Sequence, residues 1–469
     1  MRTNISAWNY LIAGERNRQS EVRVTVFQNS LALGGTEKAA SAWAQLLSKR
    51  SCISNVQIVA LSDGPRRADL QRSGIQVRIV GGSGGETGLL EALGSCDVVH
   101  AHAPGFAHQG DSLGAALRKA GRKIPVVQTN VFGKLENPLE EEWTDFRLFI
   151  SWTSCVQAAK RSKRKLNQDF FRRQSVAVYP VEDPFETEIQ ASLRREANAF
   201  REDLGITSAN VLFGRFSRPE PNKWSPLLLR AFFDAHTRNN RIRLLLREPP
   251  AAIAQNLCEN GKAVWGGESR PSEASPVIML RATADPHSLR IGQMACDAVL
   301  HISSIGESFG YGIAEPMALG IPVITNSVPW HDQAQLELVR HEECGLVASS
   351  PRSLSRAILK LAQDEEFRVT SGERSRAHIL NLANPEVSLA SLMMAIRCAV
   401  DNVENPNVVT DLCSARRAAT HLDRSQWGQT LGDRWSLRGQ YVRIQCLCWQ
   451  RQFRDRLKRK SASNRLYFL

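Results

Sequence analysis

The segment from Asp297 to Thr325 constrains the fold more than any other part of this chain. Asp297-Ala-Val-Leu-His-Ile302 has the apolar run of a buried parallel strand, and Ser308-Phe-Gly-Tyr-Gly after it is a turn entering a helical segment. A helix placed there points its free N–H groups and positive dipole end beyond the strand, which suits an anion such as a diphosphate. Glu307 and Glu315 are eight residues apart. On that helix they are expected about two turns apart, roughly 12 Å by rise, and nearly on one side.

The first half repeats the pattern. Val22–Phe27 reads as an opening strand, followed by a turn at Leu33-Gly-Gly-Thr36 and an amphipathic segment from Glu37 to Leu47. Val56–Leu61, Gln76–Val80, Asp97–His100 and Ile124–Gln128 are further strand candidates, with helix-like material between several of them. Such alternation predicts an α/β architecture with parallel sheets covered on both faces. Gly34 and Gly35 let backbone approach a phosphate, although a plain tight turn also uses two glycines. The run from Gly81 to Gly88 fits neither the dinucleotide fingerprint nor the Gly-Lys-Ser/Thr phosphate loop and reads as a flexible connection.

His100 and His102 stand at the carboxyl end of a strand, where open α/β sheets present ligand-binding groups. They share a face if the strand continues. An inert hydrogen-bonded role and a place in the catalytic site both fit. Thr129 and Asn130 end another strand and either face an acceptor or cap a loop. In the second half, Val211-Leu-Phe-Gly214-Arg215 runs into a loop carrying Arg218 and Lys223. Cations aimed at one spot there would neutralise a departing diphosphate.

Glu307-x7-Glu315, set among Ser308, Phe309, Gly310, Met317, Gly320 and Pro322, resembles the signature of the family 4 (group 1) retaining glycosyltransferases of the GT-B fold. The resemblance implies two doubly wound Rossmann-like domains facing a central cleft. It implies that Glu307 lies against the donor sugar and Glu315 bonds the ribose hydroxyls. Ser308, Phe309 and Gly310 belong to the same donor-binding turn, and Gly34-Gly35-Thr36-Glu37 is similar to the family's Gly-Gly-x-Glu loop. His102 matches the second His of the family's His-x-His, beside the reacting sugar. The family places a Gly-Arg after the strand and a Lys five residues beyond the Arg. Gly214-Arg215 satisfies the first condition and Arg218 the second, while both alignments end on Lys223. Pro316 departs from the family's usual Ala and removes a backbone donor inside the helix.

The resemblance covers about residues 22 to 395 and leaves the tail outside it. It implies hexosyl transfer from a nucleotide-diphosphate sugar to a hydroxyl acceptor, a glycan or lipid-linked glycan, with retention and without a metal or other cofactor. No Asp-x-Asp motif occurs. A GT-B sugar-nucleotide epimerase and a non-catalytic nucleotide-sugar-binding or membrane-scaffold protein are the alternatives. The proline-bounded stretch Pro180–Phe185 marks the domain junction. The expected organisation is a leader over 1–20, an acceptor domain over 21–185, a donor domain over 186–395 and a basic extension over 396–469.

Charge and cysteine usage bear on partners. Net charge is +13, and residues 434–469 hold ten Lys or Arg against the single Asp455. Apolar residues from Trp435 to Leu457 recur at helical spacing, which predicts a basic amphipathic helix. A second basic stretch over 160–173 includes Phe170 and Phe171. Both stretches suit either an anionic membrane surface or solvent. No nucleic-acid recognition module accompanies the charge, so nucleic acid is not an expected partner. The ten cysteines lack metal-ligand spacing and read as reduced, mostly buried thiols. No apolar run reaches membrane-spanning length, and residues 1–20 lack a signal-peptide core, so the expected location is the cytoplasm, peripheral at the inner membrane face.

Overall fold

The computed structural model describes residues 22–429, apart from 82–84, 103–111, 122, 134, 136–141, 188–189, 267–274, 284 and 329–330. The sequence expectations for the leader over 1–20 and the basic helix over 434–460 lie outside the described residues.

Fourteen described strands make two sheets. The first contains β1 (Val22–Ser30), β2 (Ile53–Ser62), β3 (Gln76–Ile79), β4 (Val98–Ala101), β5 (Val126–Asn130), β6 (Phe146–Phe149) and β7 (Gln174–Val176). The second contains β8 (Val211–Phe216), β9 (Ile242–Arg247), β10 (Ala263–Trp265), β11 (Val277–Leu280), β12 (Ala298–His301), β13 (Val323–Thr325) and β14 (Gly345–Val347). The spatial orders are β3-β2-β1-β4-β5-β6-β7 and β10-β11-β9-β8-β12-β13-β14, and neighbouring strands pair in parallel throughout. Both sheets are doubly wound α/β layers, as the alternating pattern predicted. The strand order reverses between β1 and β4 in the first sheet and between β8 and β12 in the second. Crevices beyond the carboxyl ends of the strands at such switch points are where open α/β sheets bind ligands.

The strands are inward and apolar because helices cover both faces. Val126–Asn130, Phe146–Phe149 and Ala298–His301 are buried along their whole length. Helix starts follow local chemistry: Ser151 accepts from the Ser154 N–H at the start of helix Trp152–Arg161, and Asp285 accepts from His287 and Ser288 at the start of Pro286–Met294.

After the second sheet the chain returns to the first domain. Helix Pro385–Asp401 straddles residue 395 and packs against β4, β5, β6 and β7, and helix Val408–Gln429 packs on helix Trp152–Arg161. Trp43, fully buried on helix Gly35–Leu47, donates its Nε1–H to Ser388 Oγ at 2.7 Å. That bond fastens the returning helix to the first domain. The stretch Glu365–Asp401 is long and apolar enough to span a membrane by composition. It comprises two helices, Glu365–Leu382 and Pro385–Asp401, whose inner faces are buried in the protein.

In the basic stretch 160–173, Lys160, Lys163, Arg164 and Lys165 are exposed while Phe170 and Phe171 are buried. The two rings meet edge to face in the core, with centroids 5.0 Å apart. The surface there carries charge without the aromatic anchors that the sequence suggested. Among the described residues, all the cysteines are free thiols, Cys96, Cys155, Cys296, Cys344 and Cys398 are buried, and no cluster of metal-ligating side chains is present.

Candidate functional site

The loops beyond β1, β8 and β12 meet in the cleft between the sheets. Glu307 lies in the loop after β12, not on the helix, which runs from Tyr311 to Ala318. The expectation that Glu307 and Glu315 share one helix therefore fails. Gly306 and Gly310, with φ of +67° and +106°, bend the chain around Glu307 through the left-handed region and delay the helix until Tyr311. Glu315 is on the helix, and Pro316 sits inside it without ending it. Pro316 stands in the second half of this helix of 8 residues, and its missing N–H removes one intrahelical bond, the one to the Gly312 carbonyl.

Glu307 is gripped from two sides. Lys223 Nζ donates to its Oε2 at 2.8 Å, and His301 Nε2 lies 2.9 Å from its Oε1. Burial would raise the pKa of this carboxyl, but His301 and Lys223 together overcome it and hold the pKa down to about 2. His301 is itself buried and pushed down to about 4, chiefly by burial and secondarily by Arg215. A neutral His301 that donates from Nε2 fixes one carboxylate oxygen while Lys223 fixes the other. His301 was not singled out from the sequence. Its only signal was a polar residue at the end of an otherwise apolar strand.

The structure separates the two candidate arginines. Arg215 is fully buried at the end of β8, donates to the Lys223 carbonyl at 2.5 Å and to the Leu300 carbonyl at 3.4 Å, and lies 5.3 Å from the Trp224 ring centroid. It braces the loop that carries Lys223. Arg218 is exposed and pairs with Glu220 at 3.1 Å, outside the cluster.

Across the cleft, Gly34 precedes helix Gly35–Leu47, and a Cβ on Gly35 would sit 3.3 Å from the Tyr311 ring. Lys38 in the first turn of that helix reaches Glu315 Oε1 at 2.5 Å, and Gln293 donates to the other oxygen at 3.3 Å. Ser308 Oγ bonds the Asp332 carboxylate, Phe309 is buried, and Gly310 is the left-handed cap of the helix.

The first-domain histidines are deep. His102 Nε2 is 2.9 Å from the Tyr179 hydroxyl, and His100 Nε2 is 2.8 Å from Thr129 Oγ1. Both are fully buried, and burial lowers their basicity, His100 to about 3. Tyr179 stacks on His102 and on Tyr311, linking His102 to the cleft through rings rather than directly. Thr129 and Asn130 are buried, and Thr129 is engaged by His100.

Contacts close the cleft on its far side as well. Glu337 of the second domain accepts from the Thr153 N–H at 3.1 Å, at the start of helix Trp152–Arg161 of the first. Gln157 donates to the His331 carbonyl at 2.9 Å, and the Tyr311 hydroxyl donates to the Pro180 carbonyl at 3.1 Å.

Two facing doubly wound sheets, with a site built from both switch points, define the GT-B class of fold. Solved structures agree. Anabaena Alr3699/HepE in complex with UDP-glucose superposes with a TM-score of 0.61 at 18% identity, covering 80% of this chain and 98% of that one. A glycosyltransferase from Rickettsia africae ESF-5 gives 0.62 at 12% identity, over 82% and 100% of the two chains. The catalytic domain of starch synthase IV from Arabidopsis thaliana, bound to ADP and acarbose, gives 0.57 at 13% identity over 81% and 100%. No curated protein matches the sequence. Residues 282–378, which hold His301, Glu307 and Glu315, match the family described as glycosyl transferases group 1.

Proposed function

We propose that this protein is a retaining, metal-independent glycosyltransferase of family 4 that moves a hexosyl group from a nucleotide-diphosphate sugar to a hydroxyl of a glycan or lipid-linked glycan. The observation that carries this reading is the Lys223–Glu307–His301 cluster, whose Glu307 and His301 lie in the matched segment, with Tyr311 of the following helix set against Gly35. An ionised Glu307 with both oxygens fixed presents a rigid acceptor edge to sugar hydroxyls, and Glu315 on the following helix is the acid for the ribose. Lys223, with the backbone N–H groups near Gly34 and Gly310, stabilises the departing diphosphate. Arg215 acts through the Lys223 loop.

In this reading the leaving phosphate helps to take the acceptor proton, and the new bond forms on the face from which the diphosphate leaves. His102 supports the sugar side of the cleft through Tyr179. The protein works in the cytoplasm, and the exposed lysines of 160–165, together with the basic sequence over 434–460, meet an anionic membrane.

Proton NMR of donor hydrolysis in the absence of acceptor tests the stereochemistry. The anomer formed first has the donor's configuration if the reaction is retaining; the opposite anomer contradicts it. Undiminished turnover after exhaustive chelation supports metal independence, and loss of turnover restored by a divalent ion contradicts it.

A further inference from the structure

Two first-domain cations beside the Gly34 loop have no place in the account so far. Lys38 lies in the first turn of helix Gly35–Leu47, where the helix dipole disfavours a positive charge. Its side chain crosses the cleft to Glu315 at 2.5 Å and passes 4.9 Å from the Tyr311 ring centroid. Arg66 follows the turn after β2 and is partly buried. Its Nε donates to the Ala32 carbonyl at 3.0 Å, and one terminal nitrogen approaches the Gly34 carbonyl at 3.5 Å. No carboxylate among the described residues lies within ion-pair distance of Arg66, although its charge interacts with Glu37 and Glu315.

A partly buried guanidinium with no carboxylate in direct contact has lost hydration that an arriving anion offsets. In the second domain Arg215 is committed to backbone carbonyls and Arg218 to Glu220, which leaves Lys223, itself paired with Glu307, as that domain's cation for the diphosphate. Glu315 is at present neutralised by Lys38, so ribose hydroxyls that engage Glu315 would release an ammonium beside Arg66 and the Gly34 loop.

We propose that Lys38 and Arg66 form a first-domain cation pair for the donor diphosphate, with Lys38 exchanging Glu315 for phosphate oxygens as the nucleotide enters. This rests on the glycosyltransferase reading above. It assigns phosphate binding to side chains of both domains, so that the diphosphate itself bridges them. Arg66 supplies a planar fork for two oxygens and Lys38 a mobile point charge.

The test is calorimetric titration of the full chain with UDP, GDP and ADP, with the matching nucleoside monophosphates, and with inorganic pyrophosphate. Native protein is compared with Lys38→Met, Arg66→Lys and a control at the cleft-distant Lys262→Met, and thermal unfolding confirms that each variant folds. Lys38→Met weakens the preferred nucleoside diphosphate and pyrophosphate about tenfold or more, equivalent to about 1.4 kcal/mol. The monophosphate changes less than about threefold by the same scale, and the salt dependence of diphosphate binding becomes shallower. Arg66→Lys keeps the charge, loses the fork and also weakens the diphosphate; Lys262→Met binds as native. Diphosphate binding that is unchanged or tighter in Lys38→Met and unchanged in Arg66→Lys overturns the cation pair while leaving the donor site standing. A folded native chain that binds neither nucleotide nor pyrophosphate overturns both.

Discussion

Lys223 and Glu307 are 84 residues apart in sequence and form an ion pair of 2.8 Å, with side chains only 20% and 12% exposed. A pair so enclosed is costly to break on one side, because the remaining charge keeps its desolvation penalty. Lys223→Met should therefore destabilise the protein by about 1–3 kcal/mol, and Lys223→Met/Glu307→Gln should lose less than the two single changes together. Urea denaturation of the four proteins measures the coupling. Strict additivity would mean that the pair contributes no interaction of its own.

Acid should begin to destabilise this fold through its buried histidines below about pH 6.5. His100, His102 and His301 have folded pKa values below the usual 6.5, chiefly through burial, with His301 at about 4 and His100 at about 3. The unfolded chain thus binds more protons as pH falls below about 6.5, and stability drops progressively from there toward pH 4 and lower. Glu307, depressed to about 2, adds a further loss as pH falls from about 4.5 to 2.

Glu337 acts in the opposite direction. Burial, opposed by bonds from Thr153 and Trp152, raises it to about 7, so it takes up its proton in the folded state and weakens the fold as pH rises from about 4.5 to 7. Glu337→Gln should gain stability relative to native at pH 8 and lose that advantage at pH 4.5. Thermal unfolding across this range decides the sign for each group.

Gly310→Ala should cost about 1–2 kcal/mol or more and disturb the site as well. Its φ is +106°, and the new Cβ would lie 3.3 Å from the Glu307 Cβ. The expected result is a lower unfolding temperature together with weaker donor binding, measured on the same preparation. An unchanged unfolding temperature would contradict the strain argument.

The sheets were legible because parallel strands buried on both faces leave short apolar runs, as at Val98–Ala101 and Ala298–His301. Phe146–Phe149, Ile242–Arg247 and Ala263–Trp265 were not singled out, since such short runs lack a period that separates strand from buried helix. Glu307, Glu315 and Lys223 were singled out through the family resemblance, but the loop conformation of Glu307 depends on two left-handed glycines whose φ no spacing reveals. Arg215 and Arg218 became distinguishable only when burial placed one inside and left the other at Glu220. Lys38 and Glu315, 277 residues apart, meet through domain closure and leave no local signal.

The central claim is a nucleotide-sugar site between the two sheets, and calorimetry with a panel of UDP-, GDP- and ADP-sugars tests it most directly. The native chain should bind one donor selectively, with Glu315→Ala weakening it by about 1–3 kcal/mol and Lys223→Ala weakening it comparably. Binding of that donor undiminished in both folded variants, or no binding of any donor by the folded native chain, would contradict the account.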